Sequence, residues 1–446
     1  MDKFINDTIL PPVMKFVSTK AVMALRNGML FTMPFTIIGS VFLLLANLPI
    51  EFLSNIISNS GLDVYFNQAF GASFAIMAFF AVMGITISYC RETGMELAES
   101  IPAGFVALTN FILLQANQVV YMIEETNVPI TITNVIDKTW AGGSGMFASI
   151  VIGLGTGIAY SWFINRGIKI KMPDGVPGNI SATFEALIPA FVSITGTMIL
   201  FAIFDSFIGS TFFEWIYEVL QAPVQGMSDS LGGALMIGFL IPLFWFFGIH
   251  GSQIVMGIMG PITTANALNN QAILDSGLEL TVANGGSVVT TQFVDQFMTV
   301  TGAGMTIGIV IFMVALSKSK QFKTLGRLSI VPAIFNINEP VLFATPVVMN
   351  PIMFLPFVTA PLLSALITYG ALASGLVPLF SAVQVPWTTP PIISGLLVGG
   401  WQAALLQVVV LSVSIVVYLP FVKKMDMITL AQEQGQMSET VQATSA

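Results

Sequence analysis

Charge is scarce in this chain, so ionisable groups set in apolar surroundings are the first places to look for chemistry. His250 is the one histidine, and it sits in PLFWFFGIHGSQ (Pro242–Gln253), with an apolar run before it and Gly, Ser and Gln after it. Glu339 sits in FNINEPVLFATPVVMNP (Phe335–Pro351), between Asn338 and Pro340. An imidazole can accept a proton from a hydroxyl or orient it, and a carboxylate can accept hydrogen bonds from hydroxyls or act as base toward one. Asn336 and Asn338 add amide donors and acceptors suited to a polyol. Trp387, in VPWTTPP, and Trp245, five residues before His250, offer aromatic faces for the C–H face of a sugar ring and an N–H that still donates. Gln253 joins this binding set.

Each of these residues also has a plainer reading. His250 could pack within a helix bundle on a carbonyl, Glu339 could clamp hairpin amides, and the tryptophans could belong to an interfacial belt. The polar segment 284–304, with Asn284, Gln292 and Asp295, either lines the same cavity or is an extracellular loop.

The elements that must hold these groups follow from composition. Of 446 residues, 55% are apolar and 9% charged, against about 25% charged in soluble domains. With a mean hydropathy of +0.86, the chain reads as an all-α polytopic membrane protein. Ionisable groups inside a membrane normally face a cavity, which favours a functional His250 and Glu339.

Several functions are excluded or disfavoured. The formal charge of −8 comes with no basic run of the kind that binds nucleic acid. A lone cysteine, Cys90, forms no internal disulfide, and without CxxC or His/Cys clusters no metal site is expected. No Walker A sequence is present, so ATP hydrolysis and a cofactor are not expected. No Lys or Arg falls within a confident span, which disfavours a voltage sensor or an anion cage. Acids in the spans are too few for a multi-carboxylate proton relay.

Confident spans are 27–48, 70–90, 101–122, 143–164 and 186–208, followed by 301–317, 354–374 and 392–419. Lys3, Lys15, Lys20 and Arg26 precede the first, which favours a retained helix over a cleaved signal peptide. Basic residues alternate across the loops, placing both termini, 91–100, 165–185 and 318–327 in the cytoplasm. Parity then requires a broken element turning near His250 within 231–259. It leaves 330–351 and 376–391 without a full crossing each. Both are proline-broken, by Pro332, Pro340, Pro346 and Pro351 in the first and by Pro378, Pro386, Pro390 and Pro391 in the second. Non-helical backbone at membrane depth survives when it is buried in protein or lines a wet cavity. The expectation is about ten transmembrane segments with two re-entrant hairpins in the C-terminal half, and a cytoplasmic tail over 426–446, polar and frayed from Met427 to Ala446. Discontinuous helices of this kind often hold a transporter's substrate.

NEPVLFATPVVMNP, together with the GIHG segment, TTQFVDQF and VPWTTPP, resembles the membrane IIC components of the bacterial phosphoenolpyruvate-dependent sugar phosphotransferase system, in the lactose/cellobiose/diacetylchitobiose branch. The resemblance covers Met1 to about Met425. Where this chain reads Ala344–Thr345, the family pattern more often has a glycine. The resemblance implies one IIC domain over 1–425, with a dimerising half at 1–210, a substrate-binding half at 211–425 and elevator-like motion between them. It implies a multi-pass permease in the bacterial cell membrane, not an enzyme on its own. Such a permease imports a β-linked disaccharide of the cellobiose or N,N′-diacetylchitobiose type. A separate IIB phosphocysteine, supplied through IIA and HPr, then phosphorylates the sugar's 6-hydroxyl, which His250 and Glu339 are expected to hold. Cys90, in ISYCRETG, lacks the phosphate-cradling loop of a IIB cysteine, so that donor must come from another chain docking at the cytoplasmic face. A proton-coupled sugar symporter with Glu339 and His250 as relay is the other reading.

Overall fold

The computed structural model describes residues 11, 15–16, 18–47, 51–123, 128–173, 175–345, 347 and 350–444. Lys3, Leu48 and Pro346, named above, lie outside them. The chain divides into two compact units: Met1–Leu43, Leu62–Gly226 and Met256–Leu268 form the first, and Leu44–Gly61, Met227–Val255 and Asn269–Ala446 the second.

The first unit is a bundle built on α1 (Lys20–Leu30), α2 (Met33–Ala46), α3 (Met77–Glu92), α4 (Leu97–Leu113), α5 (Met146–Asn165) and α6 (Leu187–Ile203). Lipid tails are as apolar as leucine, so such helices associate through small residues and interhelical hydrogen bonds. Gly28 shows the first device: a Cβ there would lie 2.5 Å from the Ile85 backbone, so α1 and α3 approach only because it is absent. Thr86 Oγ1 donating to the Gly153 carbonyl (2.9 Å) shows the second, as does Asn110 Nδ2 donating to Thr156 (3.0 Å) and Ser193 (2.9 Å). Outward faces are greasy, with Phe191 72% exposed, as expected where lipid is the solvent. Cys90 is buried among Met95, Ala103, Val106 and Tyr160.

One expected span is shorter than hydropathy suggested. The 101–122 helix stops at Leu113, and Gln118–Ile123 pairs antiparallel with Val128–Thr133 (β1 and β2), with Gln118 opposite Thr133. Asn117 lies between the helix end and the strand, and β-branched Val119 suits the strand. Among the described residues the fold is therefore mostly helical, with one antiparallel pair of strands.

The second unit contains α7 (Leu231–Phe246), the ends of α8 (Gly251–Asp275), α9 (Ile307–Ala315), α10 (Lys320–Ile334), α11 (Glu339–Ala344), α12 (Pro351–Ala373) and α13 (Ile393–Thr444), the last interrupted at Gly399–Gly400. The expected 301–317 crossing is reduced to nine residues in α9. Thr301, Gly302, Gly304 and Met305 all take positive φ (66°, 91°, 81° and 55°), which no helix accommodates, and a π-helical turn, Phe293–Met298, precedes them. That turn is held from α12 by Ser364 Oγ donating to the Phe297 carbonyl (2.7 Å), and the positive-φ loop from α13 by Tyr418 Oη donating to the Gly304 carbonyl (2.7 Å). The tail is not frayed as expected, because α13 continues through it. Asp426 accepts from Ser317 Oγ (2.5 Å) and from the amides of Lys318 and Ser319 (2.9 and 3.0 Å). Glu433, two turns on and on the same face, accepts from Ser319 Oγ (2.7 Å) and the Gln321 amide (2.8 Å).

Among the described residues, six helices are long and apolar enough to cross a membrane: Lys20–Ala46, Leu62–Glu92, Gly143–Asn165, Ile180–Ile208, Pro351–Ala373 and Ile393–Gly435. Phe212–Ser228 and Leu231–Phe246, bent by 73°, make a seventh if counted as one broken span. The ten expected segments are thus not confirmed, the other apolar stretches being broken or, like α4 at 17 residues, short.

Candidate functional site

The chain between α7 and α8 turns where the sequence places GIHG. Gly248 has φ +76°, and His250 is the N-cap of α8, its Nδ1 accepting the Gln253 N–H at 3.3 Å. Gly251 is needed because a Cβ there would lie 2.0 Å from the Ile241 carbonyl oxygen. The cap fixes the ring's state: with Nδ1 accepting, the neutral ring carries its proton on Nε2, which is therefore a donor. The Trp245 ring lies 4.4 Å from the imidazole, tilted by 48°, and is itself buried, 5% exposed. Its Nε1–H has no acceptor among the described residues.

Glu339 opens α11, behind Asn338 at the N-cap and ahead of Pro340 at a position where proline costs no hydrogen bond. It is half-buried. Phe343, one turn further along α11, meets Trp245 edge-on at 6.4 Å. The Trp245–His250 turn and the glutamate-bearing helix, far apart in sequence, thus meet through Trp245 and Phe343.

The two asparagines are buried and their donors are occupied. Asn338 Nδ2 donates to the Ala303 carbonyl (2.7 Å) and to Thr306 Oγ1 (3.1 Å). Asn336, at φ +63°, accepts the Thr301 N–H on Oδ1 (2.8 Å) and donates from Nδ2 to the carbonyls of Trp387 (2.6 Å) and Thr389 (2.9 Å). These side chains build the loop that presents Glu339. Trp387 (52% exposed) and Gln253 keep open faces.

In the 284–304 segment, Asn284 closes a local turn on the Glu279 carbonyl (2.8 Å), and Asp295 is half-buried on the π-helical turn. Gln292 is buried and holds the segment that carries Trp387. Gln296 and Asn270 do the same, and neither was singled out in the sequence. An Asn or Gln within an apolar stretch was the available signal.

No group of three or more His, Cys, Asp or Glu able to hold a metal occurs among the described residues. What the structure brings together here is an imidazole, an indole and the short helix that carries a carboxylate.

Comparison with known proteins points to one family. The family profile described as "Phosphotransferase system, EIIC" matches residues 26–361. The lichenan permease IIC component of Bacillus subtilis is 34% identical over all of this chain and 98% of its own length. The cellobiose-specific EIIC component of Geobacillus stearothermophilus is 33% identical, covering 98% of this chain and 97% of its own. The crystal structure of the transporter ChbC, the IIC component from the N,N′-diacetylchitobiose-specific phosphotransferase system, superposes with a TM-score of 0.90 at 34% identity, covering 97% of this chain and 99% of ChbC. With its profile, its relatives and its fold all in accord, the chain belongs to the phosphotransferase-system EIIC family, the membrane transport subunits of that system.

Proposed function

We propose that this permease subunit imports a β-linked disaccharide of the cellobiose or N,N′-diacetylchitobiose type and presents its 6-hydroxyl to a separate IIB protein. The observation that carries this reading is the convergence of His250, Trp245 and the Glu339 helix. The His250 Nε2–H donates to the hydroxyl oxygen, and Glu339 accepts the hydroxyl proton. As that oxygen bonds to phosphorus, the bond from phosphorus to the IIB cysteine sulfur breaks and the proton passes to Glu339. Trp387, Trp245 and Gln253 supply ring packing and polar contacts, while Asn336 and Asn338 act through the loop they hold. The relatives named for cellobiose and N,N′-diacetylchitobiose support the substrate class.

The rest of the assembly follows the family expectation. The half at 1–210 dimerises, and the half at 211–425 carries the sugar on two re-entrant hairpins. Both termini face the cytoplasm, where phospho-IIB docks with IIA and HPr upstream, and lipid surrounds the spans. Family membership disfavours the proton symporter.

The test is equilibrium sugar binding to purified protein. Losing a hydrogen bond to an ionised group costs about 1.5–3 kcal/mol, so Glu339→Ala should weaken binding by roughly 10- to 150-fold. Glu339→Gln should bind within about tenfold of wild type yet lose a factor of about 10²–10⁴ in phosphorylation, the range for a general base. Wild-type affinity in both His250→Ala and Glu339→Ala would overturn the site.

A further inference from the structure

Leu376–Ile392, between α12 and α13, is non-helical and carries Trp387. Outside a helix its carbonyls need partners from elsewhere, and in an apolar setting each unpaired one is costly. The partners are side-chain amides. Asn270 Nδ2 donates to the Phe380 carbonyl (2.8 Å), and Gln292 Nε2 to those of Ser381 and Val383 (2.7 and 2.8 Å). Gln296 Nε2 donates to Val385 (3.4 Å), and Asn336 Nδ2 to Trp387 and Thr389. The accepting carbonyls of Ser381, Val383 and Val385 alternate along non-helical chain, and those of Trp387 and Thr389 belong to a turn closed by the Thr389 N–H on the Pro386 carbonyl (2.8 Å). Where a sheet would supply a neighbouring strand, buried carboxamides from α8, the π-helical turn and the Glu339 loop take its place. A primary amide suits this role because it carries two donors and no charge.

Asn336 differs from the others. It stands three residues before Glu339 and, through Oδ1, is also fixed to the Thr301 amide. One carboxamide therefore ties the loop presenting the carboxylate to the segment presenting the tryptophan. We infer that this amide row sets where Trp387 stands, and that Asn336 is a positioning residue registering Trp387 against Glu339 for disaccharide recognition. The inference rests on the reading that Trp387 and Glu339 both meet the sugar.

The experiment is a double-mutant cycle on disaccharide affinity in detergent-purified full-length protein. Asn336→Asp keeps the volume and the acceptor for Thr301 but turns an acceptor toward the two carbonyls. It should weaken cellobiose or diacetylchitobiose binding about tenfold, the size of one to two lost hydrogen bonds. Placed on Trp387→Phe it should weaken binding at most twofold further, whereas with Gln253→Ala its effect should be additive. A general loosening of the fold would not couple to the tryptophan alone. Gln292→Met, near-isosteric and without donors, should show the same coupling and carries the test if Asn336→Asp does not fold. Additivity of Asn336→Asp and Gln292→Met with Trp387→Phe overturns the inference and leaves the proposed site standing. Unchanged affinity in Trp387→Phe alone removes Trp387 from the site, and the inference with it.

Discussion

At the scale of single residues, His250 serves the backbone and, in the proposed site, the ligand as well. Its Nδ1 caps a helix and so leaves Nε2 as the donor, a division of labour set by one 3.3 Å contact. Gly251 makes that turn possible. Gly251→Ala should destabilise the protein by about 1–3 kcal/mol, the usual cost of overpacking, because the added carbon meets the Ile241 carbonyl. Gly196→Ala on α6 has open space around it and should be neutral or slightly stabilising, so thermal melting of the two side by side checks the contact. The sequence showed His250 and Glu339 because charge is rare there. It showed Asn336 and Asn338 as polar residues of interest but not their task, since a buried amide serving the backbone and one serving a ligand have the same letters. Gln292, Gln296 and Asn270 were silent or ambiguous for the same reason.

At the scale of elements, hydropathy located α3, α5, α6, α12 and the apolar part of α13, and it misjudged 101–122 and 301–317. It measures greasiness, and it does not see the positive-φ run at Thr301–Met305 that reduces the latter to α9. Proline content marked 330–351 and 376–391 as irregular, yet 330–334 closes α10 with Pro332 inside it. The tail was misread because its polarity suggested solvent, while Asp426 and Glu433 turn in to hold the start of α10. Asp426→Ala should therefore cost about 1–3 kcal/mol, the cost of leaving its buried donors unmatched. Thermal melting reads this directly. An unchanged midpoint would show that the turn holds itself.

For the molecule as a whole, group translocation and ion coupling make opposite demands. In membrane vesicles the labelled disaccharide should accumulate as its phosphate when phospho-IIB is supplied. Without it the sugar should only equilibrate, even under an imposed pH gradient. Accumulation of unmodified sugar driven by that gradient would overturn the proposal. The proposed elevator-like motion of the substrate-binding half needs reporters. Cys90, the one cysteine of the chain, is packed between helices with its Sγ facing the Gly157 carbonyl, shielded from water-borne reagents. A thiol introduced at Phe207 in the first unit and another at Leu376 in the second, both highly exposed, could take up spin labels while the native sulfur stays silent. The wild-type background is already suited to spectroscopic distance measurement with and without sugar.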